Sequence, residues 1–374
     1  MAGVCIGTMA LIIVLSTFNG LSDLVQSLYN SFDPDIEITI KQGKTFDPNA
    51  SEIAALKTLK GVAFYTEVVE GNALLKYNDK QCITTIKGVS EEFRNMSGFD
   101  SVVREGKFNI AKNNIVIGKG ISEILQTGVT NVFSPVSVYA PKRGSINVIN
   151  PEDGMNELKV YPAGSFSIND EFDYKYSIMN IEKARELLDY TTEVTSVELG
   201  IAKDADLEQV QKEIEKTVGD KYAIKNREQQ NALLYKTLKS EKLWTFIILI
   251  FILVIATFNV IGSLTMLIIE KKKDISILHN MGADIRTIRR IFLVEGMLIT
   301  FIGALSGLVL GTLICVLQMK FSFVKFEEGY VVDAYPVSFH LPDFILVTIA
   351  VLLIGFMASW YPVRIFTKKH LTHS

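Results

Sequence analysis

Few residues in this chain are spaced for covalent chemistry. The four histidines, His279, His340, His370 and His373, are scattered. With the three cysteines, Cys5, Cys82 and Cys315, they form no zinc-ligand spacing. Gly118-Lys119-Gly120 is not a phosphate-cradling loop, which needs G-x-x-x-x-G-K-[ST] to surround phosphates with backbone N–H groups and a lysine. No Ser/His/Asp set, paired carboxylates or metal constellation stands out. The chain is therefore expected to bind no cofactor of its own, to have no metal site and not to be an enzyme. Its chemistry is concentrated in Glu270-Lys-Lys-Lys-Asp274 and the stretch after it, Ile275 to Arg290. Asp274 suits the positive end of a short helix running to Met281, and Gly282-Ala283 is a fair stop. Asp284 then caps a second short helix, with Ile285, Ile288, Ile291 and Phe292 on one face. The first helix presents Ile275, Leu278 and Met281. These could lie on the headgroup plane of a membrane or fit a groove on a soluble partner, and periodicity favours neither.

Long apolar runs must position that segment. Leu243 to Ile269 carries no charge and exceeds the roughly 20 residues that a bilayer-spanning helix needs. It also lacks the polar stripe of a soluble amphipathic helix. Val4 to Phe18 is a shorter run, extended on one face by Leu21, Leu24, Val25 and Leu28. No basic segment precedes it and no small-x-small site follows Phe18, so it reads as an anchor rather than a cleaved signal. Ile291 to Met319 and Phe344 to Trp360 complete four spans. Gly303, Gly307 and Gly311 form a glycine ladder that would let another helix approach closely.

Residues 30–242 form a hydrophilic insert. Alternation marks strands at Asp35–Lys41, Val194–Ile201 and the Asn72–Tyr77/Gln81–Ile86 hairpin. Asn114–Gly118 feeds a helix at Ile121–Gln126, and Ile178 starts a strand that runs into a helix over Ile181–Asp189. Helices are also expected over Asn49–Leu59, capped by Asn49 or Ser51, and over Asp204–Val218 on Leu207, Val210 and Ile214. Pro135–Tyr139 is a further strand. Tyr139 to Val160, rich in Gly, Pro, Asn and Lys, reads as a protruding loop or ribbon. Cys82 is the only cysteine in the insert and has no partner there for a disulfide.

The expected architecture is an α-helical polytopic membrane protein with four transmembrane helices and a large α+β extracytoplasmic domain between helices 1 and 2. The segments are the first span (1–29), the α+β domain (30–225), a helical stalk and second span (226–270), the charged loop (271–290), the third span (291–319), a short loop (320–342), and the fourth span with its tail (343–374). Lys271, Lys272, Lys273, Arg286, Arg289 and Arg290, with Arg364, Lys368 and Lys369 in the tail, outnumber Lys320 and Lys325 in the opposite loop. Positive charge stays in the cytoplasm, so both termini are expected inside and the insert outside. Membrane lipids are the implied surroundings. The net charge of −3 argues against nucleic acid as a partner.

Four stretches resemble the lipoprotein-releasing permease family (LolC/LolE), within the superfamily of the macrolide exporter MacB and the FtsX cell-division proteins. Gly7–Gly20, with its Asn19-Gly20 exit, is similar to the family's first span, and Phe258–Leu264 to its second. Glu270–Leu278 with Met281-Gly282-Ala283 resembles its coupling helix, and Ile291–Gly296 with the glycine ladder its third span. Asn131-Val132 stands where the family often has Gly-Asp, and the usual Pro-x-x-Ala-Leu ending is absent. Relatives usually carry an interfacial helix before the first span, whereas this sequence starts almost at the span.

The resemblance implies an ABC transporter permease whose partners are ABC ATPase subunits, expected to number two and to bind ATP and Mg²⁺, and a second permease copy or paralogue. It implies coupling to the ATPase through Asp274, Ile275, Ile277, Leu278, Met281, Gly282 and Ala283. Lipoprotein cargo would enter beside Phe18, Asn19, Phe258 and Asn259 and pass to a periplasmic carrier held by Pro141, Lys142, Arg143 and Pro151. The setting would be the bacterial inner membrane. An FtsX-like mechanotransmitter acting on a cell-wall hydrolase and a MacB-like efflux permease are the alternatives.

Overall fold

The computed structural model describes residues 1–128, 134–143, 154–325 and 334–371, with backbone alone at residue 97 and over 365–371. It divides into an α+β unit, Gln26–Leu233, and a helical unit, Met1–Val25 with Leu234–Ser374.

Along the chain, α1 (Ala2–Asn30) leads to β1 (Ile36–Ile40), then α2 (Ser51–Ala54) with a 3₁₀ turn (Ala55–Thr58). The hairpin is β2 (Val62–Tyr77) and β3 (Lys80–Val89), turning at Asn78-Asp79 with Asn78 at φ 52°. After α3 (Phe93–Ser97) come β4 (Val103–Gly106), β5 (Asn114–Gly118) and α4 (Lys119–Leu125). Strands β6 (Val136–Pro141) and β7 (Met155–Phe166) precede α5 (Asp170–Asp173), β8 (Tyr176–Asn180), α6 (Ile181–Leu188), β9 (Ser196–Ile201), α7 (Leu207–Val218) and β10 (Tyr222–Asn226). The remaining helices are α8 (Arg227–Gln230), α9 (Ala232–Glu270), α10 (Lys272–Asn280), α11 (Ile285–Phe321) and α12 (Leu341–Leu371).

The described strands form one mixed 10-stranded sheet in the order β10-β1-β9-β2-β3-β8-β5-β7-β4, with β6 bridging β2 and β7. The bridge closes β2, β3, β8, β5, β7 and β6 into a ring, because β2 is 16 residues long and offers its first half to β9 and its last residues to β6. Leu75, Ile86, Ile117, Val138 and Val160 belong to one apolar core. A second core is aromatic, built on Phe32, Phe93, Phe99, Phe108, Phe166 and Phe172.

Beside that aromatic core lies a buried ion pair. Lys87 Nζ is 2.7 Å from Glu198 Oε1, with Glu70 at 3.8 Å and the Phe32 ring centroid 4.3 Å away. Burial pushes the Glu198 carboxyl up to about 7 against the opposing pull of Lys87. Burial likewise raises Asp33 and Glu37, which also lie near Lys87. At the mouth of the unit, Asn231 donates to Asp33 at 2.5 Å and Arg227 pairs with Asp35 at 3.3 Å.

Several expectations need correcting. The residue before α2 is Ala50, without a side-chain cap: Asn49 N–H bonds Asp47 and Ser51 bonds Glu52. Of the stretch Tyr139 to Val160, read as a loop or ribbon, residues 144–153 lie outside the described residues; its two ends are paired strands, Pro141 opposite Met155, and β7 runs on to Phe166. Strands β4 and β10 were not anticipated. Gly118 and Gly120 meet Asp173 backbone and the Tyr174 ring, so close packing accounts for both. The stalk is broken once, at Asn231, before α9 continues unbroken through the apolar run. The second short helix of the charged loop is not separate, because it forms the first turns of α11.

Among the described residues four helices, Ala2–Asn30, Ala232–Glu270, Ile285–Phe321 and Leu341–Arg364, are long and apolar enough to cross a membrane.

Candidate coupling site

The charged hairpin is built by its ends. Lys271 precedes α10, and its ammonium lies 3.0 Å from Asp274 in the first turn, which holds its pKa above the usual lysine value. At the other end Gly282 takes φ +94°. Its N–H bonds His279 O at 2.9 Å, and the Ala283 N–H bonds Leu278 O at 3.0 Å. That pair of bonds satisfies the last carbonyls and turns the chain sharply, which a left-handed glycine permits. Asp284 then occupies the N-cap of α11, with no side-chain capping bond.

The hairpin has two sides. Ile275 is buried with Ile268, Ile288, Phe292 and Val363, so it joins α10 to α9, α11 and α12. Ile277, Leu278 and Met281 are 57%, 40% and 79% exposed, and this is the apolar surface left for a partner. Sequence spacing grouped Ile275 with the presented residues and placed Ile291 on the face of Ile288 and Phe292. The structure turns Ile275 inward and leaves Ile291 exposed.

Behind the hairpin, the glycine ladder packs on α1. A Cβ at Gly303 would sit 3.1 Å from Val4 Cβ, at Gly307 2.7 Å from Thr8 Cβ, and at Gly311 3.1 Å from Ile12 Cβ. A second small-residue contact, which the sequence did not reveal, joins α11 to α12. Gly296 lies under Ser359, whose hydroxyl donates to Gly355 O, and Gly355 lies under Thr300, whose hydroxyl donates to Gly296 O. At the end of the bundle away from the hairpin, Asp343 accepts from Asn19 Nδ2 at 2.6 Å and from Lys242 Nζ at 2.9 Å. Among the described residues no group of His, Cys, Asp and Glu could hold a metal ion.

Comparison with known proteins decides the family. Residues 1–217 match the MacB-like periplasmic core domain, and residues 246–371 match the FtsX-like permease C-terminal region. The chain belongs to the MacB/FtsX-like permease family. It is 26% identical to the lipoprotein-releasing system transmembrane protein LolC of Neisseria meningitidis, over 98% of this chain and 90% of that protein. It is 22% identical to LolE of Haemophilus influenzae, over 96% of this chain and 89% of that protein. Among solved structures, it is similar to the extracellular domain of the ABC-type transporter YknZ from Gram-positive bacteria. That match has 14% identity and a TM-score of 0.38, covering 51% of this chain and 99% of the other.

In this permease, the residues expected to admit cargo do not form one site. Gly3 of α1 lies against Ala256 and Asn259 of α9, so the two helices run antiparallel. Asn19 is level with Lys242 through Asp343, and Lys242 and Asn259 are separated along α9 by about 25 Å at 1.5 Å per residue. Asn19 is buried, while Phe258 is 64% exposed. The carrier-contact candidates divide as well. Arg143 is tied to the body of its unit, 3.3 Å from Glu193 and stacked 4.3 Å over Tyr190. The Lys142 N–H closes the ribbon on Gly154 O. Pro141 ends β6, and Pro151 lies outside the described residues.

Proposed function

We propose that this permease is the membrane subunit of an ABC transporter, moved by separate ATPase subunits that bind ATP and Mg²⁺ and working beside a second permease copy or paralogue. On this reading it lifts lipid-anchored proteins from the outer leaflet of the inner membrane and passes them to a periplasmic carrier. The α+β unit stands in the periplasm, and the hairpin and both termini lie in the cytoplasm. The choice of lipoproteins as cargo is supported by the names of the LolC and LolE relatives.

The observation that carries the reading is the two-sided hairpin. Its tip offers Ile277, Leu278 and Met281 to a groove, while Ile275 is wedged among three spans. A push on the tip therefore reaches α9, α11 and α12 together, because a packed core transmits displacement rather than absorbing it. Exposed apolar side chains flanked by charge suit a partner's pocket, where a few anchors dominate binding.

The test is Leu278→Glu with Met281→Glu in the permease reconstituted with its ATPase, lipoprotein and carrier. Loss of release of at least about tenfold is expected, since two apolar anchors carry more than about 1.4 kcal/mol of docking energy. Normal release would refute coupling through this tip. ATP-dependent activation of a wall hydrolase without lipoprotein release would instead favour the mechanotransmission alternative.

A further inference from the structure

Outside the hairpin's partner face, a cavity of about 450 Å³ opens where α11 begins its apolar run and α12 ends its own, lined by Arg286, Arg289, Arg290 and Arg364 with Leu293 and Trp360. Arg286, Arg290 and Leu293 follow one another at four- and three-residue steps, so they share one face of α11. The face carrying Ile288 and Phe292 is a different one, already filled by Ile275 of α10. Arg364 Cζ stacks 4.9 Å from the centroid of the Trp360 ring. Among the described residues no carboxylate pairs with Arg286, Arg290 or Arg364. Arg286, Arg290 and Arg364, brought to one cavity without such a carboxylate, repel one another unless an anion joins them.

We propose that this cavity binds the headgroup of an anionic phospholipid, with the phosphate held by the arginines and the chain lying along Leu293 and Trp360. Guanidinium presents paired N–H donors that match phosphate oxygens bidentately. The depth fits a lipid, since the apolar run of α11 starts at Ile291 and Trp360 closes that of α12, and tryptophan settles at headgroup level. Basic cavities between spans on the positively charged side of a membrane protein take acidic headgroups. An apolar wall beside the cations serves a lipid and does nothing for free phosphate. The inference does not depend on which cargo the permease moves.

The experiment uses the full-length permease with its ATPase, purified in detergent and titrated with phosphatidylglycerol or phosphatidylcholine. Bound lipid is read by native mass spectrometry. The wild-type protein is expected to retain phosphatidylglycerol in preference to phosphatidylcholine, and Arg286→Gln with Arg290→Gln to weaken that retention by roughly fivefold for each arginine removed. Arg286→Lys with Arg290→Lys keeps the charge and is expected to fall between the two. Should the Gln double variant fail to fold, Arg364→Gln decides, with a loss of roughly fivefold expected. Equal retention of both lipids, or unchanged phosphatidylglycerol binding in the variants, overturns the proposal. So does displacement of the lipid by inorganic phosphate, which would make this a small-anion site. Loss of the ATPase from the variant with lipid retention intact also overturns it, because the arginines would then be a protein contact.

Discussion

The helical unit and the α+β unit hold their backbones together by opposite means. In the bundle, side chains are removed: the glycines at 303, 307 and 311 let α1 lie on α11, and the reciprocal Gly296/Ser359 and Gly355/Thr300 contacts do the same for α12. In the α+β unit, bulk is added: six phenylalanines fill one core, and an ammonium is sealed beside them. The difference follows from the solvent. Lipid tails are as apolar as the helices, so only close fit and hydrogen bonds hold spans together, whereas water rewards every aromatic ring taken out of it.

The largest break in this comparison should come from Lys87→Ala. It strands Glu198 without a counter-charge and should cost about 3–5 kcal/mol of stability, read from the denaturant midpoint of the purified chain. Lys87→Met with Glu198→Leu should recover most of that loss, since a buried pair exchanged for apolar bulk is often neutral. Next in size is Gly307→Val, which drives a side chain into Thr8 and the Cys5 carbonyl and should cost about 1–3 kcal/mol in a detergent melt. Gly262→Ala is the control, because nothing lies within 4 Å of its added carbon, and it should cost nothing and gain up to about 1 kcal/mol from helix propensity. Gly282→Ala should cost about 1 kcal/mol at its left-handed turn and loosen the hairpin.

The smallest effect is a pH slope. Burial raises the carboxyls of Asp33, Glu37 and Glu198, the last to about 7, so the folded protein holds protons that the unfolded chain releases. Their contribution to stability is therefore complete below the ordinary carboxylate range and is lost as pH climbs toward 7. Midpoints measured between pH 5 and 7.5 should fall across that window, and Glu198→Gln should flatten the slope.

The spans were legible because length alone identifies them: twenty-seven uncharged residues such as 243–269 permit few other structures. Strands β1 and β9 and helices α4, α6 and α7 announced themselves by period. β7 did not, because Pro162 and Gly164 interrupt its alternation. β10 is five residues long and follows a helix closely. The join between the charged turns and the third span was misread as a boundary, yet charge on a helix surface does not end a helix, and α11 runs straight through Arg289-Arg290. Ile275 was assigned the wrong side because a nine-residue helix with apolar residues at 275, 277 and 278, and Met281 just past its end, has more than one face to offer. The Lys87–Glu198 pair was invisible in principle. It joins β3 to β9 across the intervening β2, and no local spacing records which strands become neighbours.

The sheet order has a mechanical consequence. The first residue of β1 pairs with the last of β10, Ile36 opposite Asn226, so the chain arriving from α1 and the chain departing toward α9 leave the sheet as the two prongs of one fork. Tension that spreads the prongs would undo this ladder like a zip, one rung after another, rather than straining all the rungs at once. The Asp33–Asn231 and Asp35–Arg227 contacts sit at the crotch of that fork, where a small fastener resists the most tearing.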